Sequence, residues 1–310
     1  MRCVKENIIL KLSFILLLCA TACQTEESGV NDGKFVIVAT TGMIADAVQN
    51  IVGEHAEVVA LMGSGVDPHL YKPTHGDIER ITSADIILYN GLHLEGKMGE
   101  VLRKASRIKR VEAISEKINK DRLRMIEGFD NTFDPHIWFD VSLWSEAVSD
   151  ITGHLEEIDT AHAQVYRSNA ERYLQRLDSL HYAVKRSMTT IPVMQRVLIT
   201  AHDAFGYFGD AYGVEVRGLQ GISTMSEFGL RDVTELVNFI VSRKIKAIFV
   251  ESSVSNRSIQ AVIEGCNERN WNVVIGGTLY SDAMGEKGTP EGTYIGMVDA
   301  NVQTIIGALR

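Results

Sequence analysis

DTAHAQVYRSNAERYLQRLDSLHYAVKRSMTTI, residues 159–191, contains neither glycine nor proline. Tyr166, Ala170, Tyr173, Leu174, Leu177, Leu180, Val184 and Met188 recur at helical spacing and mark one face. A helix of about 28 residues would be about 42 Å long, more than is needed to cover a sheet. A helical hairpin broken near Asp178 is the duller alternative. The stretch is expected to form one long helix, because nothing in it stops a helix.

On either side the chain changes style. Before it, apolar runs at 34–40, 58–62 and 85–90 read as strands, with helical patterns at 44–52, from 77, at 98–105 and at 141–158. After it, strands are expected at 196–200, 214–219, 246–252 and 272–276, and helices at 205–212, 230–241, through 263 and at 294–309. Strands alternating with helices imply parallel sheets built from βαβ units. The expected fold is therefore α/β, two lobes with mainly parallel sheets joined by one long backbone helix. The lobes would span 35–158 and 192–310, with the linking helix at 159–191.

The triplet Asp-Pro-His occurs twice, in VDPHLYKP (66–73) and FDPHIWFD (133–140), in a chain with five prolines and nine histidines. Pro68 and Pro135 fix φ just before His69 and His136, so each imidazole is presented from a stiff loop. Ligands of open α/β sheets gather outside the carboxyl ends of the strands. His69 follows the strand at 58–62, and His202 lies just past the strand at 196–200. Asp282 falls in the loop after the strand at 272–276, and His136 opens onto a helix that Asp140 can cap. Three imidazoles and a carboxylate suit Zn²⁺, Mn²⁺ or Fe²⁺. A single histidine after a strand is as readily a buried hydrogen-bonding residue, so spacing alone leaves both readings open. Asp67, Asp134 and Asp203 could orient imidazole N–H groups, and Glu251 is the best spare carboxylate. His75 and His93 are weaker candidates for a supporting role. His154, His162 and His181 are expected in solvent, and Trp138, Trp144 and Trp271 in the core.

Residues 1–23, MRCVKENIILKLSFILLLCATAC, have a basic start, a short apolar core and Ala20-Thr21-Ala22 before Cys23. This layout reads as a lipoprotein signal at 1–22, with Cys23 lipidated and 23–34 a polar tether. A plain secretory signal is the alternative. Loss of 1–22 removes Arg2, Lys5, Lys11 and Glu6, moving the net charge from −9 to −11. An acidic chain with no basic patch argues against nucleic-acid binding and suits attraction of cations. Cys266 would remain as a lone thiol packed on a helix, with no internal disulfide.

GVDPHLYKPTHGD, ADIILYNGLHLE, FDPHIWFDV, TAHDAFGYF and SDAMG resemble, in order, the signatures of the TroA/PsaA/ZnuA-like family of metal-binding lipoproteins of bacterial ABC importers. GLHLEGKMGEV, VRGLQGIST and EGTYIGMV are similar to its TroA members in particular. The resemblance covers nearly all of 34–310. It implies two α/β lobes on one backbone helix, with metal held between them by His69, His136, His202 and Asp282. It further implies a zinc or manganese ion, or iron, as transported ligand rather than a reaction catalysed. An ABC permease and its ATPase would be the partners of an exported, lipid-anchored monomer facing the periplasm or cell exterior. Some manganese-selective relatives carry Glu where this chain has His202. The His-rich loop of many zinc-specific relatives is missing, since 107–132 contains no histidine. The choice of metal therefore stays open. A metallohydrolase using the same histidines and a surface adhesin are the rival functions.

Overall fold

In the computed structural model, residues 33–126, 128 and 131–310 are described. The expected signal at 1–22, Cys23 and the tether as far as residue 32 lie outside them.

The first lobe is built on a four-stranded parallel sheet, order β2-β1-β3-β4, made of β1 Phe35–Ala39, β2 Ala56–Ala60, β3 Ile86–Tyr89 and β4 Arg110–Ala113. Between the strands run α1 Gly42–Val52, α2 His75–Ser83 and α3 Gly99–Ala105. The strand expected at 58–62 is set earlier, but its ladder continues, since Leu61 and Met62 donate to Ala39 and Thr40 carbonyls at 2.9 and 3.0 Å. β4 was not anticipated. Its sequence RVEA alternates two charged and two small apolar residues over only four positions, a weak signal that fits an edge strand.

Next come α4 Val141–Ile158 and α5 Ala163–Met188. The Asp140 carboxylate caps α4 by accepting from Ser142 N–H at 2.8 Å, as expected. α5 is one continuous helix of 26 residues, about 39 Å long, and is not broken at Asp178. It starts later than 159 because Asp159 ends α4 and turns the chain, accepting from Tyr166 OH at 2.6 Å.

The second lobe contains β5 Val197–His202, α6 Gly206–Tyr212, β6 Glu215–Gln220, α7 Leu230–Arg243, β7 Ala247–Glu251, α8 Arg257–Glu268, β8 Val274–Leu279 and α9 Tyr294–Leu309. β5 pairs in parallel with β6, and β7 with β8. The strand expected at 272–276 lies two residues later. Cys266 is a free, buried thiol on α8, as expected.

Strand alternation explains the layering. Ile37, Ala39, Ile86 and Leu88 face one core, and Val38 and Ile87 between them face another. In the second lobe Leu198, Ala247 and Phe249 join the first of these cores, while Ile199, Ile248 and Val250 pack beneath α7 and α8. One apolar cluster thus runs through both lobes and takes in the buried face of α5. Residues 35–310 form one compact unit. Among the described residues, no helix is long and apolar enough to cross a membrane.

Candidate metal centre

His69 lies in the loop after β2, and His136 begins the turn leading to α4. His202 is the last residue of β5, and Asp282 follows β8. Each loop is tied down locally. The Asp67 carboxylate accepts from the backbone N–H of His69 at 2.8 Å. Downstream, Thr74 and Asp77 form a reciprocal cap on α2, and Tyr71 OH donates to Asp77 at 2.6 Å. In the second triplet, Asp134 Oδ1 accepts from the His136 backbone N–H at 2.9 Å and lies 2.7 Å from its Nδ1. β6 can approach the His202 strand closely because residue 218 is glycine. A Cβ there would lie 2.4 Å from Asp203 N.

All four expected side chains meet. One donor atom from each lies within 4.8 Å of the others, and relative exposure is 1%, 0%, 0% and 2% for His69, His136, His202 and Asp282. His202 Nε2 is 3.2 Å from Asp282 Oδ2, and His136 Nε2 is 3.4 Å from Asp282 Oδ1. His69 Nε2 is 3.4 Å from His136 Nε2 and 3.7 Å from Asp282 Oδ2. Tetrahedral zinc with nitrogen or oxygen bonds of about 2.0–2.1 Å needs donors about 3.3 Å apart. The observed spacing is of that size. Among the described residues, His202 Nε2 and both Asp282 oxygens are buried without a well-aligned hydrogen bond and lie closest to one another and to the other two imidazoles. Such groups are costly to bury unless something compensates them, and a cation at their centre does so.

The electrostatics separate the donors. Burial, aided by the two neighbouring imidazoles, holds His69 down to about 4 although Asp282 pulls the other way. His69 therefore offers a free lone pair at neutral pH. Burial acts in the same direction on His202, but the Asp282 and Glu251 carboxylates outweigh it and hold its pKa well above the ordinary value. Burial would raise Asp282, yet His202, His136 and His69 together keep it below the usual carboxylate range.

The supporting residues sort clearly. Glu251, at the end of β7, accepts from the His202 backbone N–H at 2.9 Å and sets its other oxygen 2.6 Å from His202 Nδ1. Glu251 and Asp134 thus stand behind two of the three imidazoles, leaving Nε2 to face the centre. Asp67 holds the backbone of His69 rather than its ring. His75 is exposed on α2, paired with Glu79, and is not brought to the site. His93 lines the groove outside it with Asp203.

Three residues play parts that differ from expectation or escaped it. Trp138 is buried, but it also touches the site: its ring lies 5.2 Å from that of His136, and its indole N–H donates to Ser281 O at 3.0 Å, next to Asp282. Tyr207 OH donates to Asp134 O at 2.9 Å and accepts from Arg124 N–H at 3.1 Å. Tyr207 lies within the TAHDAFGYF signature, but nothing in its spacing marked it as a partner of the Asp134 loop. His154 is not in solvent. It is buried against Asp150 at 3.4 Å and Arg110 at 3.3 Å, far from the four donors in role.

Comparison with known proteins identifies the family. Residues 37–308 match the family model described as ZnuA, zinc-uptake complex component A, periplasmic. The manganese-binding lipoprotein MntA of Bacillus subtilis (strain 168) is 51% identical over 94% of this chain and 95% of its own length. The zinc-binding protein TroA of Treponema pallidum (strain Nichols) is 49% identical over 90% of each. The solved structure of periplasmic zinc-binding TroA from Treponema pallidum superposes with a TM-score of 0.87, covering 89% of this chain and 99% of that one. The chain belongs to the ZnuA family, the solute-binding lipoproteins of metal ABC transporters.

Proposed function

We propose that this chain captures a divalent transition metal between its two lobes through His69, His136, His202 and Asp282 and delivers it to an ABC permease. The observation that carries the reading is the convergence of four buried donors, with His202 Nε2 and both Asp282 oxygens making no well-aligned hydrogen bond among the described residues. Metal is the cargo here and the four side chains are its handle. Four protein donors fill a four-coordinate site and leave no position for a substrate water, which favours binding over hydrolysis. The lobes at 35–158 and 192–310 and the linking helix at 159–191 belong to this reading. So do the signal at 1–22, the lipid on Cys23, the tether at 23–34 and a monomer outside the cytoplasmic membrane. Adhesion makes no use of two Asp-Pro-His loops.

The cargo is zinc or manganese, with iron a further candidate. Zinc fits the named TroA relative and manganese the named MntA relative. A nitrogen-rich site holds Zn²⁺ more tightly than Mn²⁺ in raw affinity. The deciding experiment is metal content after gentle purification, followed by competition of Zn²⁺ against Mn²⁺ and uptake by cells lacking the protein. One metal per chain and no hydrolytic turnover are expected. A chain that binds neither ion, or that hydrolyses esters or phosphates with turnover, overturns the reading.

A further inference from the structure

We propose that residues 221–229 act as a latch over the metal site, closed by one hydrogen bond from Thr224 to Asp67, and that this bond sets how slowly metal leaves. The inference rests on the metal-binding reading above. A groove of about 860 Å³ opens beside the centre. Of the four donor residues only His69 lines it, together with His93, Gly96, Asp203, Met225 and Ser226. An ion leaving toward this groove passes His69.

The segment 221–229 starts at the end of β6. Gln220 there is the register partner of His202, and its carbonyl accepts from Asp203 N–H at 3.1 Å. The Gln220 amide folds the segment back on itself, donating to Thr224 O at 2.7 Å and to Ser226 O. Thr224 OH then reaches across to the first lobe and donates to Asp67 Oδ2 at 2.6 Å. The other oxygen of Asp67 holds the His69 backbone N–H. A hydrogen-bonded path thus joins the His202 strand to the His69 loop without passing through the centre. The segment also needs a seat. A Cβ on Gly96 would lie 3.0 Å from His69 O and 3.1 Å from Met225 Sδ, so glycine there lets Met225 lie close to the His69 loop. Breaking the Thr224 bond frees both the segment and the Asp67 carboxylate that steadies His69.

The test is release of Zn²⁺ from the loaded, purified protein into excess chelating dye, followed by stopped flow. Thr224→Val removes the donor and keeps the shape, and Thr224→Ser keeps the donor. A hydrogen bond to a charged acceptor is worth enough to make release about tenfold faster in T224V. T224S should release near the wild-type rate. Amide hydrogen exchange of 221–229 gives a second reading and should quicken in loaded T224V but not in T224S. Equal release from T224V and wild type, or equally fast release from both variants, overturns the latch while leaving the metal site standing. Wild-type protein that takes up no zinc overturns the metal reading and the latch with it.

Discussion

Glu251 and Asp134 decide what two imidazoles can do. A carboxylate at Nδ1 fixes the ring and the tautomer and raises the basicity of the nitrogen facing the metal. Replacing Glu251 with Ala removes the contacts to both His202 Nδ1 and its backbone N–H. Metal affinity should fall about 10- to 100-fold, read by competition with a fluorescent chelator. Unchanged affinity would show that the strand alone positions His202. The protonation of the metal-free site gives a second prediction. The Asp282 and Glu251 carboxylates raise the His202 pKa well above its ordinary value and so favour its proton in the metal-free site, and in the proposed metal-binding role an incoming metal displaces that proton. Uptake at pH 7 should release a proton, seen as a buffer-dependent binding enthalpy, and apparent affinity should rise with pH. His69 acts oppositely on metal-free stability. Its folded pKa of about 4 lies below the ordinary 6.5, so the unfolded chain alone gains a proton as pH falls between them. That contribution lowers stability from pH 6.5 down to 4, and His69→Asn should remove it from the pH dependence of Tm. His202 contributes stability that is present below 6.5 and lost as pH rises through its raised folded value. At this scale proline-fixed triplets and strand-end positions, which are local features, singled out the four side chains, but spacing alone left each histidine open to a buried hydrogen-bonding role, and the full donor set followed from the family resemblance. The double role of Trp138 and the burial of His154 were not, since both depend on which distant segments fold against them.

The elements owe their legibility to period and punctuation. α5 could be read because 26 helical residues repeat an apolar face without a glycine or proline, and that face is buried against α1, α4 and α9. β4 could not, because four residues with two charges give no period to count. The start of α5 was misplaced by four residues because Asp159 and Thr160 look as helical as their neighbours until Tyr166 and His162 are seen bonding to Asp159. The continuity of α5 has a measurable cost of breaking. Asp178 is exposed at its middle, so Asp178→Pro removes no core contact directly. It does remove one backbone donor and collides with the preceding turn, at about 3 kcal/mol or more. Tm should drop clearly, whereas Asp178→Ala should leave it nearly unchanged. Equal melting of both variants would mean that the helix tolerates a break there and that the hairpin reading was the better one.

Across the whole molecule, the ties between the lobes matter more than either sheet. Trp138 bonds to Ser281 O, and Tyr294 OH donates back to Trp138 O at 2.7 Å. Tyr207 OH donates to Asp134 O, Arg124 pairs with Asp210, and Thr224 bonds to Asp67. Behind them one apolar cluster includes Ile37 and Trp144 from the first lobe and Phe205 and Val302 from the second. A hinge opening of tens of degrees would split that cluster and expose buried apolar surface, at about 25 cal/mol per Å². No ordering of a few exposed residues could offset that cost. Metal loss should instead loosen the loops around His69 and Asp282 and tilt one lobe slightly. Spin labels on exposed Ile108 of the first lobe and Leu230 of the second, measured with and without Zn²⁺, should therefore report nearly the same distance. Chelator should at the same time lower Tm, because a ligand bound only by the folded state adds about 2.7 kcal/mol at 100 times its Kd. The two readings together separate the cases. A large fall in Tm with little change in distance fits a rigid frame with local loosening. A distance change of many ångströms would mean that the shared core parts on release, and the frame described here would have to be abandoned.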